Sequence, residues 1–288
     1  MEPQILLQTA ISGLLFGSIY GLIAFGLTLV FALTRLLNFS HGSFMLLAMY
    51  ISLVLHNVFR LDPYASILIT VPLLFGIGLL LFRWLFARMM ESHLIMVVQL
   101  TLGLVFIVES LLQMAFTADP LTVPTFISSS KIYLGGIIVR TPLLVAFAVA
   151  AVLSGALYWM LHRTDFGRFI RASAQDPVAA ALMGINVGRV RVLAFALAIG
   201  LLGVTGPLAI PMWVLEPSIG LELTLFAFIV IVLGGLGSFV GAFAGGLLVG
   251  VAEAFGHLLL PGTLAPIVPY ALFVIVLLFK PDGLMGEA

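Results

Sequence analysis

The chain has 288 residues, of which 62% are hydrophobic and only 8% are charged, and its formal net charge at pH 7 is zero. Soluble globular proteins carry roughly 25% charged residues, so this composition excludes a water-soluble fold and predicts an all-α integral membrane protein. The absence of cysteine excludes disulfides and thiolate chemistry, and without a basic run nothing indicates nucleic-acid binding.

Apolar stretches long enough to cross a bilayer recur along the whole chain. A transmembrane helix needs about 20 apolar residues. The apolar stretches 223–234 and 239–259 flank a glycine-rich sequence at 234–238, and they form either two helices or one interrupted segment. We therefore predict one transmembrane domain over residues 1–288, a polytopic bundle of eight or nine helices with interrupted segments. The predicted spans are 8–33, 41–59, 64–86, 94–116, 141–161, 191–213, 223–234, 239–259 and 264–279.

The distribution of lysine and arginine predicts the orientation of these spans. With nine spans and the N-terminus outside, nine basic residues face the cytoplasm and three face outward, and inverting the chain reverses this bias. We therefore expect the N-terminus outside and the C-terminus in the cytoplasm. The nine are Arg35, Arg83, Arg88, Arg163, Arg168, Arg171, Arg189, Arg191 and Lys280, and the three are Arg60, Lys131 and Arg140.

The predicted cytoplasmic loop, residues 162–190, contains a short helix whose two ends are both specified. Asp176 can cap its N-terminus, and Pro177 suits the first helical turn. Gly184 supplies the left-handed residue that ends it. The residues between are apolar, so the helix exposes hydrophobic surface unless something covers it. The loop alone leaves two interpretations open, a partner protein or the lipid interface, which the nearby arginines would suit.

Two interrupted segments are candidate elements of a pathway for a small solute. Transporter sites form where hydrophobic segments are broken, and irregular backbone at membrane depth must be buried in protein or line water. Equally, His41 in the first segment could cap a neighbouring helix. The other histidines lack metal-ligand spacing, so no metal site is predicted. The candidate pathway residues are Asn38, Ser40, His41, Gly42, Gly234, Gly235, Gly237 and Ser238.

Carboxylates inside predicted spans are costly in lipid and are therefore functional candidates by default. Glu109 and Glu253 are two such residues. At about 100° per residue, Gln99, Glu109 and Gln113, with Ser110, form a polar stripe on one helix, which we interpret as a buried stripe facing the bundle or a partner subunit. For Glu109 we favour interhelical hydrogen bonding over a role in transport.

Glycines also recur at four-residue spacing in two places. One row is formed by residues 13, 17 and 21, and the other by residues 237, 241 and 245. Small residues spaced in this way let membrane helices approach closely. We therefore predict helix packing at both rows, within the bundle or against a partner.

Four sequence blocks, spread from about residue 17 to residue 286, occur in the same order as in one known family. They are Gly26-Leu27-Thr28-Leu29-Val30-Phe31 with Asn38-Phe39-Ser40-His41-Gly42, then Gly167-Arg168-x-x-Arg171-Ala172 with Ala179-Ala180-x-x-x-Gly184-Ile185-Asn186, then Gly234-Gly235-Leu236-Gly237-Ser238, and finally Lys280-Pro281-Asp282-Gly283-Leu284-Met285-Gly286. Together they resemble the permeases of bacterial ABC importers for branched-chain amino acids, and the first block resembles the H-type paralogue. The last block departs from the family pattern, with Met285 in place of phenylalanine.

This resemblance implies an ABC-importer permease fold and a multi-subunit importer of the bacterial inner membrane. The expected partners are a second permease, in a heterodimer, two cytoplasmic ATPase subunits and a periplasmic binding protein. Loop 162–190 would then be the coupling loop that seats in an ATPase. Many importers have glutamate where this chain has Val178, so docking would rest on shape, apolar contact and arginines. The implied coupling residues are Gly167, Arg168, Arg171, Asp176, Pro177, Ala179, Ala180, Leu182, Gly184 and Asn186.

The chain itself supports a separate source of energy. Its two lysines, Lys131 and Lys280, lie outside any Gly-x-x-x-x-Gly-Lys-Ser/Thr phosphate loop. We therefore expect a transport subunit with no catalytic residues and no cofactor, with ATP and magnesium bound by the partner ATPases. Leucine, isoleucine and valine are the substrates that the resemblance implies, and related small amino acids, urea or amides remain open.

Two other functions are compatible with parts of the sequence. A secondary transporter driven by an ion gradient would use Glu109 and Glu253 as ion sites but leaves the capped helix of loop 162–190 unexplained. An intramembrane enzyme would pair His41 with Ser40 or Ser43, although a nucleophile and its base normally come from separate elements.

Overall fold

The computed structural model describes residues 3–90, 92–116, 119–134 and 136–285 of the chain. Gly286 of the last sequence block and residues 117, 118 and 135, between the predicted spans 94–116 and 141–161, lie outside the described residues. The helices are α1 (Pro3–Thr34), α2 (His41–Phe59), α3 (Pro63–Leu81), continued by a π-turn (Phe82–Phe86) and α4 (Ala87–Met89), α5 (Leu94–Phe116), α6 (Thr141–Arg163), α7 (Asp165–Gln175), α8 (Pro177–Leu182), α9 (Val187–Ala209), α10 (Gly220–Gly234), α11 (Phe239–Leu259) and α12 (Ile267–Phe279).

The helix count agrees with the predicted polytopic bundle. Within the described ranges, seven helices are long and apolar enough to cross a membrane, and α10 and α12 are shorter apolar helices. The alternative of one interrupted segment around 234–238 is wrong. Gly235 (φ 104°) and Gly237 (φ 91°) adopt a backbone conformation that favours glycine, and the chain reverses there so that α11 packs back against α10.

Two elements were not predicted. The first half of loop 162–190 is the helix α7, which Thr164 caps by accepting the Gly167 N–H at 3.2 Å. The loop between α5 and α6 contains a small antiparallel hairpin, β1 (Lys131–Leu134) with β2 (Ile137–Arg140). Because Asn186 caps α9 by accepting the Arg189 N–H at 3.0 Å, that helix begins at Val187 rather than at residue 191.

The long helix α1 forms the centre of the bundle, and its glycine row packs directly against α11. A side-chain carbon placed on Gly13 would lie 2.7 Å from the Gly250 carbonyl oxygen and 2.8 Å from the Val251 Cα. Gly17 meets the backbone of Gly246 in the same way. The first predicted glycine row is therefore confirmed as a packing surface within the bundle. The second predicted row is confirmed only for Gly241 and Gly245, which pack against α10, because a side-chain carbon on Gly237 would have no neighbour within 4 Å.

After α1 ends, the chain turns back along it before α2 begins. The His41 ring at the start of α2 hydrogen-bonds the Ile23 carbonyl, with Nε2 3.1 Å from the oxygen. Ile23 lies eleven residues before the end of α1. Residues 35–40 therefore return about 16 Å along α1, at 1.5 Å per helical residue. This is an interrupted segment of the kind that the sequence predicted, and it places the N-terminus of α2 inside the bundle.

Candidate functional site

The N-termini of α2 and α10 meet inside the bundle. The Gly42 N–H donates to the Thr224 hydroxyl at 2.8 Å, and that hydroxyl lies 2.8 Å from the Phe39 carbonyl, to which it donates. A side-chain carbon on Gly42 would lie only 2.6 Å from the Thr224 backbone nitrogen, so only glycine permits this approach. Because each helix N-terminus carries a partial positive charge, two positive helix ends converge at this point, which we call the junction.

The predicted polar residues of the first interrupted segment lie within the junction and are fully buried. Asn38, Ser40 and His41 are all 0% exposed. The Asn38 side-chain oxygen accepts from the Ser40 hydroxyl at 2.6 Å and from the Ser40 N–H at 3.2 Å. His41 contacts a carbonyl of α1, as expected for a histidine that caps a neighbouring segment. In this conformation the segment is therefore packed in protein and does not line an open cavity.

Three buried polar atoms at the junction lack a hydrogen-bond partner within the described part of the chain. They are Asn38 Nδ2, His41 Nδ1 and the Ser43 hydroxyl oxygen. Buried polar groups in folded proteins are nearly always paired, with protein or with ordered water. The junction therefore has unused donors and acceptors that suit a small polar guest or water.

Glu109 of α5 joins the same junction. Its Oε1 accepts the Leu221 N–H at 3.2 Å, which places a carboxylate at the positive N-terminus of α10. A side-chain carbon on Gly220 would lie 2.7 Å from the Ser43 hydroxyl oxygen and 2.8 Å from Glu109 Oε1, so both groups border this glycine. The expected interhelical hydrogen bond of Glu109 is present. Gly220 and Thr224 were not predicted, because neither lies in a recognisable local pattern.

Most members of the predicted α5 stripe do not face this chain's own bundle, which leaves the predicted alternative of a partner subunit. Gln99, Ser110 and Gln113 are exposed on this chain, and only Glu109 is half-buried. The buried residues of α5, such as Val97 and Val108, lie on the opposite side of the helix. Glu109 contacts the bundle because it lies at the border between the two faces. The stripe therefore faces away from this chain's own bundle.

The second candidate pathway segment lies apart from the first. Gly42 contacts α10 at Thr224, whereas Gly234 is the last residue of α10, ten residues later. At 1.5 Å per residue this separates them by about 15 Å. Gly234, Gly235, Gly237 and Ser238 lie instead at the end of the bundle that carries α7. There the Met285 N–H donates to the Gly234 carbonyl at 3.0 Å, so the C-terminal block packs against the glycine block.

The capped helix predicted in loop 162–190 is present as α8. Asp176 Oδ1 accepts the N–H groups of Val178 at 2.9 Å and Ala179 at 3.0 Å. Gly184 has φ +85°, the left-handed conformation expected at the end of a helix. Ala180 is only 4% exposed and anchors α8 on the loop side.

The outer face of α8 is strongly apolar and uncovered. Val178 is 69% exposed, Leu182 83% and Met183 84%. In α7, by contrast, Gly167, Ile170 and Ser173 are buried, while Arg171 is exposed and Arg168 pairs with Asp165. Loop 162–190 therefore exposes the apolar face of α8, whereas α7 is packed against the bundle.

Comparison with known proteins decides the family. The sequence profile described as "Branched-chain amino acid transport system / permease component" matches residues 9–277. The chain belongs to this family. The permease protein BraD of the high-affinity branched-chain amino acid transport system of Pseudomonas aeruginosa is 30% identical, with 98% of this chain and 96% of that protein covered.

Other permeases of the family show similar agreement over their whole lengths. LivH of the high-affinity branched-chain amino acid transport system of Salmonella typhimurium is 28% identical, with 100% of this chain and 98% of that protein covered. The probable branched-chain amino acid transport permease protein LivH of Methanocaldococcus jannaschii is 28% identical, with 99% and 93% covered. No solved structure matches the chain. The family assignment confirms the resemblance found in the sequence and supports a transport permease rather than the ion-gradient alternative.

The junction yields a stability prediction for this permease. We expect Thr224→Val, which is nearly isosteric, to lower the melting temperature of the purified chain by about 2–8 °C. The substitution leaves the buried Gly42 N–H without its acceptor, at a cost of roughly 1–3 kcal/mol. Thermal unfolding in detergent measures the effect. Thr205→Val is the matched control, because among the described residues the buried Thr205 hydroxyl bonds only the Leu201 carbonyl of its own helix. Equal shifts in both variants would contradict the junction's special role.

Proposed function

We propose that this chain is the permease subunit of an ABC importer that carries branched-chain amino acids, or closely related small amino acids and amides, across the bacterial inner membrane. Its partners in this proposal are a second permease, two cytoplasmic ATPase subunits that bind ATP and magnesium, and a periplasmic binding protein. The N-terminus lies outside and the C-terminus in the cytoplasm, so loop 162–190 faces the ATPases. The capped helix α8 is the observation that carries the proposal.

Two features of α8 support its role as the coupling helix. The exposed side chains of Val178, Leu182 and Met183 form an apolar surface that a protein groove would cover, and such uncovered surface is characteristic of interaction sites. Asp176 and Gly184 fix both helix ends. Because α8 packs against α7 and α9, a helix fixed in this way transmits the movement of a partner to both of them.

The junction is the proposed binding site of the translocated solute. An amino acid carries both a carboxylate and an ammonium group. Helix N-termini that point at a carboxylate recur in transporter sites, and here two of them converge beside unpaired buried donors. Glu109 offers an opposite charge for an ammonium group. In the observed conformation the junction is packed, so the proposal includes an opening movement during transport.

The exposed polar stripe of α5 supports the position of the second permease. Gln99, Ser110 and Gln113 would leave polar groups in hydrocarbon if lipid covered them, which costs free energy. We therefore place the partner permease against α5, with the pathway between the two chains beside Glu109. In this proposal the glycine block at 234–238 borders only the cytoplasmic opening of the pathway.

The test is purification of the tagged chain from its native membranes followed by transport in vesicles. We expect an ATPase and a second permease to co-purify, and leucine uptake to require ATP and the binding protein. Uptake that proceeds on a proton or sodium gradient without ATP would overturn the proposal. Competition by isoleucine, valine, urea and acetamide, measured on the binding protein, then assigns the substrate class.

A further inference from the structure

A large cavity opens at the end of the bundle that carries α7, away from both the junction and the outer face of α8. Its volume is about 670 Å³, and it lies between the ends of α1 and α6, the helix α7 and the start of α11. Three basic side chains line it, those of Arg35, His162 and Arg171. No carboxylate occurs among the described residues that line it.

The charges in this cavity are not neutralised by the described part of the chain. Neither Arg35 nor Arg171 has a carboxylate within ion-pairing distance there, whereas Arg168 on the same helix pairs with Asp165. The first turn of α11, Phe239 and Val240, also lines the cavity, and its N–H groups have no carbonyl partner within the helix. The C-terminal ends of α1, α6 and α7 contribute partial negative charges of about one half each, which two full guanidinium charges exceed. The cavity therefore favours an anion.

The rim of the cavity is apolar and open. Leu236 and Val240 are each 50% exposed and Met285 is 47% exposed, and all three line the cavity. Tyr158 also lines it, and the adjacent Trp159 is 62% exposed, which suits side chains at a membrane–water interface. A guest that matches this site carries a negative head group and an apolar tail.

We propose that this cavity binds the head group of an anionic phospholipid, with a phosphodiester held by Arg35 and Arg171 and acyl chains lying against the apolar rim. Basic pockets between membrane helices are a recurring form of lipid recognition. Such a lipid joins the end of α1 to α7. If α8 couples to an ATPase, which rests on the proposed function, the lipid fixes the position of α7, against which α8 packs. Anionic lipid then stimulates transport.

Lipid binding is measured on the full chain with its co-purified partners by native mass spectrometry during titration with dioleoyl-phosphatidylglycerol or dioleoyl-phosphatidylcholine. We expect a tightly retained phosphatidylglycerol and weak retention of phosphatidylcholine. The R35Q/R171Q variant should bind phosphatidylglycerol about 30-fold more weakly, because each arginine near an anionic lipid contributes roughly fivefold. R163Q/R189Q is the matched control, since it removes the same charge from exposed residues outside the cavity.

Three outcomes would overturn the proposal. They are equal retention of the two lipids, equal losses in the two double variants, and full displacement of the lipid by inorganic phosphate, which would make this a site for a free anion. If R35Q/R171Q does not fold, R35Q alone, outside loop 162–190, should show a loss of about fivefold. These binding results do not depend on transport, so a failure of the proposed function remains separate from a failure of the lipid site.

Discussion

Gly184→Val should abolish ATP-driven uptake while the chain still inserts into the membrane and assembles with its partners. Gly184 has φ +85°, which a β-branched residue adopts only with strain of roughly 1–2 kcal/mol or more. A side-chain carbon on Gly184 would have no atom within 4 Å, so the expected defect arises from the backbone alone. Relaxation of that strain shifts the end of α8 and its exposed residues Leu182 and Met183. Uptake in vesicles and the yield of assembled complex measure the two effects separately.

Two matched variants make this result specific. Gly184→Asn should retain most uptake, because asparagine tolerates the left-handed conformation far better than valine. Gly188→Val should also be tolerated, since Gly188 lies in the first turn of α9 with ordinary helical backbone, and its nearest neighbour is the Asn186 side chain at 3.6 Å. Wild-type uptake in Gly184→Val would count against α8 as the coupling helix. Loss of assembly in that variant would assign the defect to folding instead.

The sequence was sufficient for features that depend on local chemistry. The ends of α8 are encoded within nine residues, Asp176 to Gly184, by side chains whose capping roles do not depend on the rest of the chain. The apolar stretches predicted a polytopic helical bundle because lipid imposes a minimum length on each span. The helix α7 was not predicted, although two local signals were available: Phe166, Ile170 and Ala174 recur at four-residue spacing, and Thr164 stands three residues before Gly167, whose N–H it caps.

The junction could not be predicted in the same way. Gly42 and Thr224 are 182 residues apart, and no spacing in the sequence relates them. The α5 stripe illustrates the same limit, since helical periodicity groups Gln99 with Gln113 but does not determine which side of the helix meets the bundle. Glu109 contacts the bundle, as expected, only because it lies at the border of the two faces. Contacts between distant segments therefore require the tertiary structure.

Gly17 is a position where we expect a large loss of stability. A side-chain carbon there would lie 2.9 Å from the Leu247 Cα and 3.1 Å from the Gly250 Cα, and still closer to the Gly246 carbonyl. These are all backbone atoms, so no side chain can rotate away. Gly17→Ala should lower the melting temperature by about 2–8 °C, from roughly 1–3 kcal/mol of overpacking. Gly17→Val should yield almost no monodisperse protein in detergent.

The matched control is Gly76 of α3, where a side-chain carbon would have no neighbour within 4 Å. Gly76→Ala should change the melting temperature by about 2 °C or less, since helix propensity favours alanine and nothing is displaced. Both substitutions add the same methyl group to an apolar membrane helix, so composition and hydropathy cannot explain a difference between them. A similar melting temperature for Gly17→Ala and Gly76→Ala would mean that α1 and α11 do not pack at the described distance. Because α1 also holds His41 through its Ile23 carbonyl, a separation of these two helices would reach the junction as well.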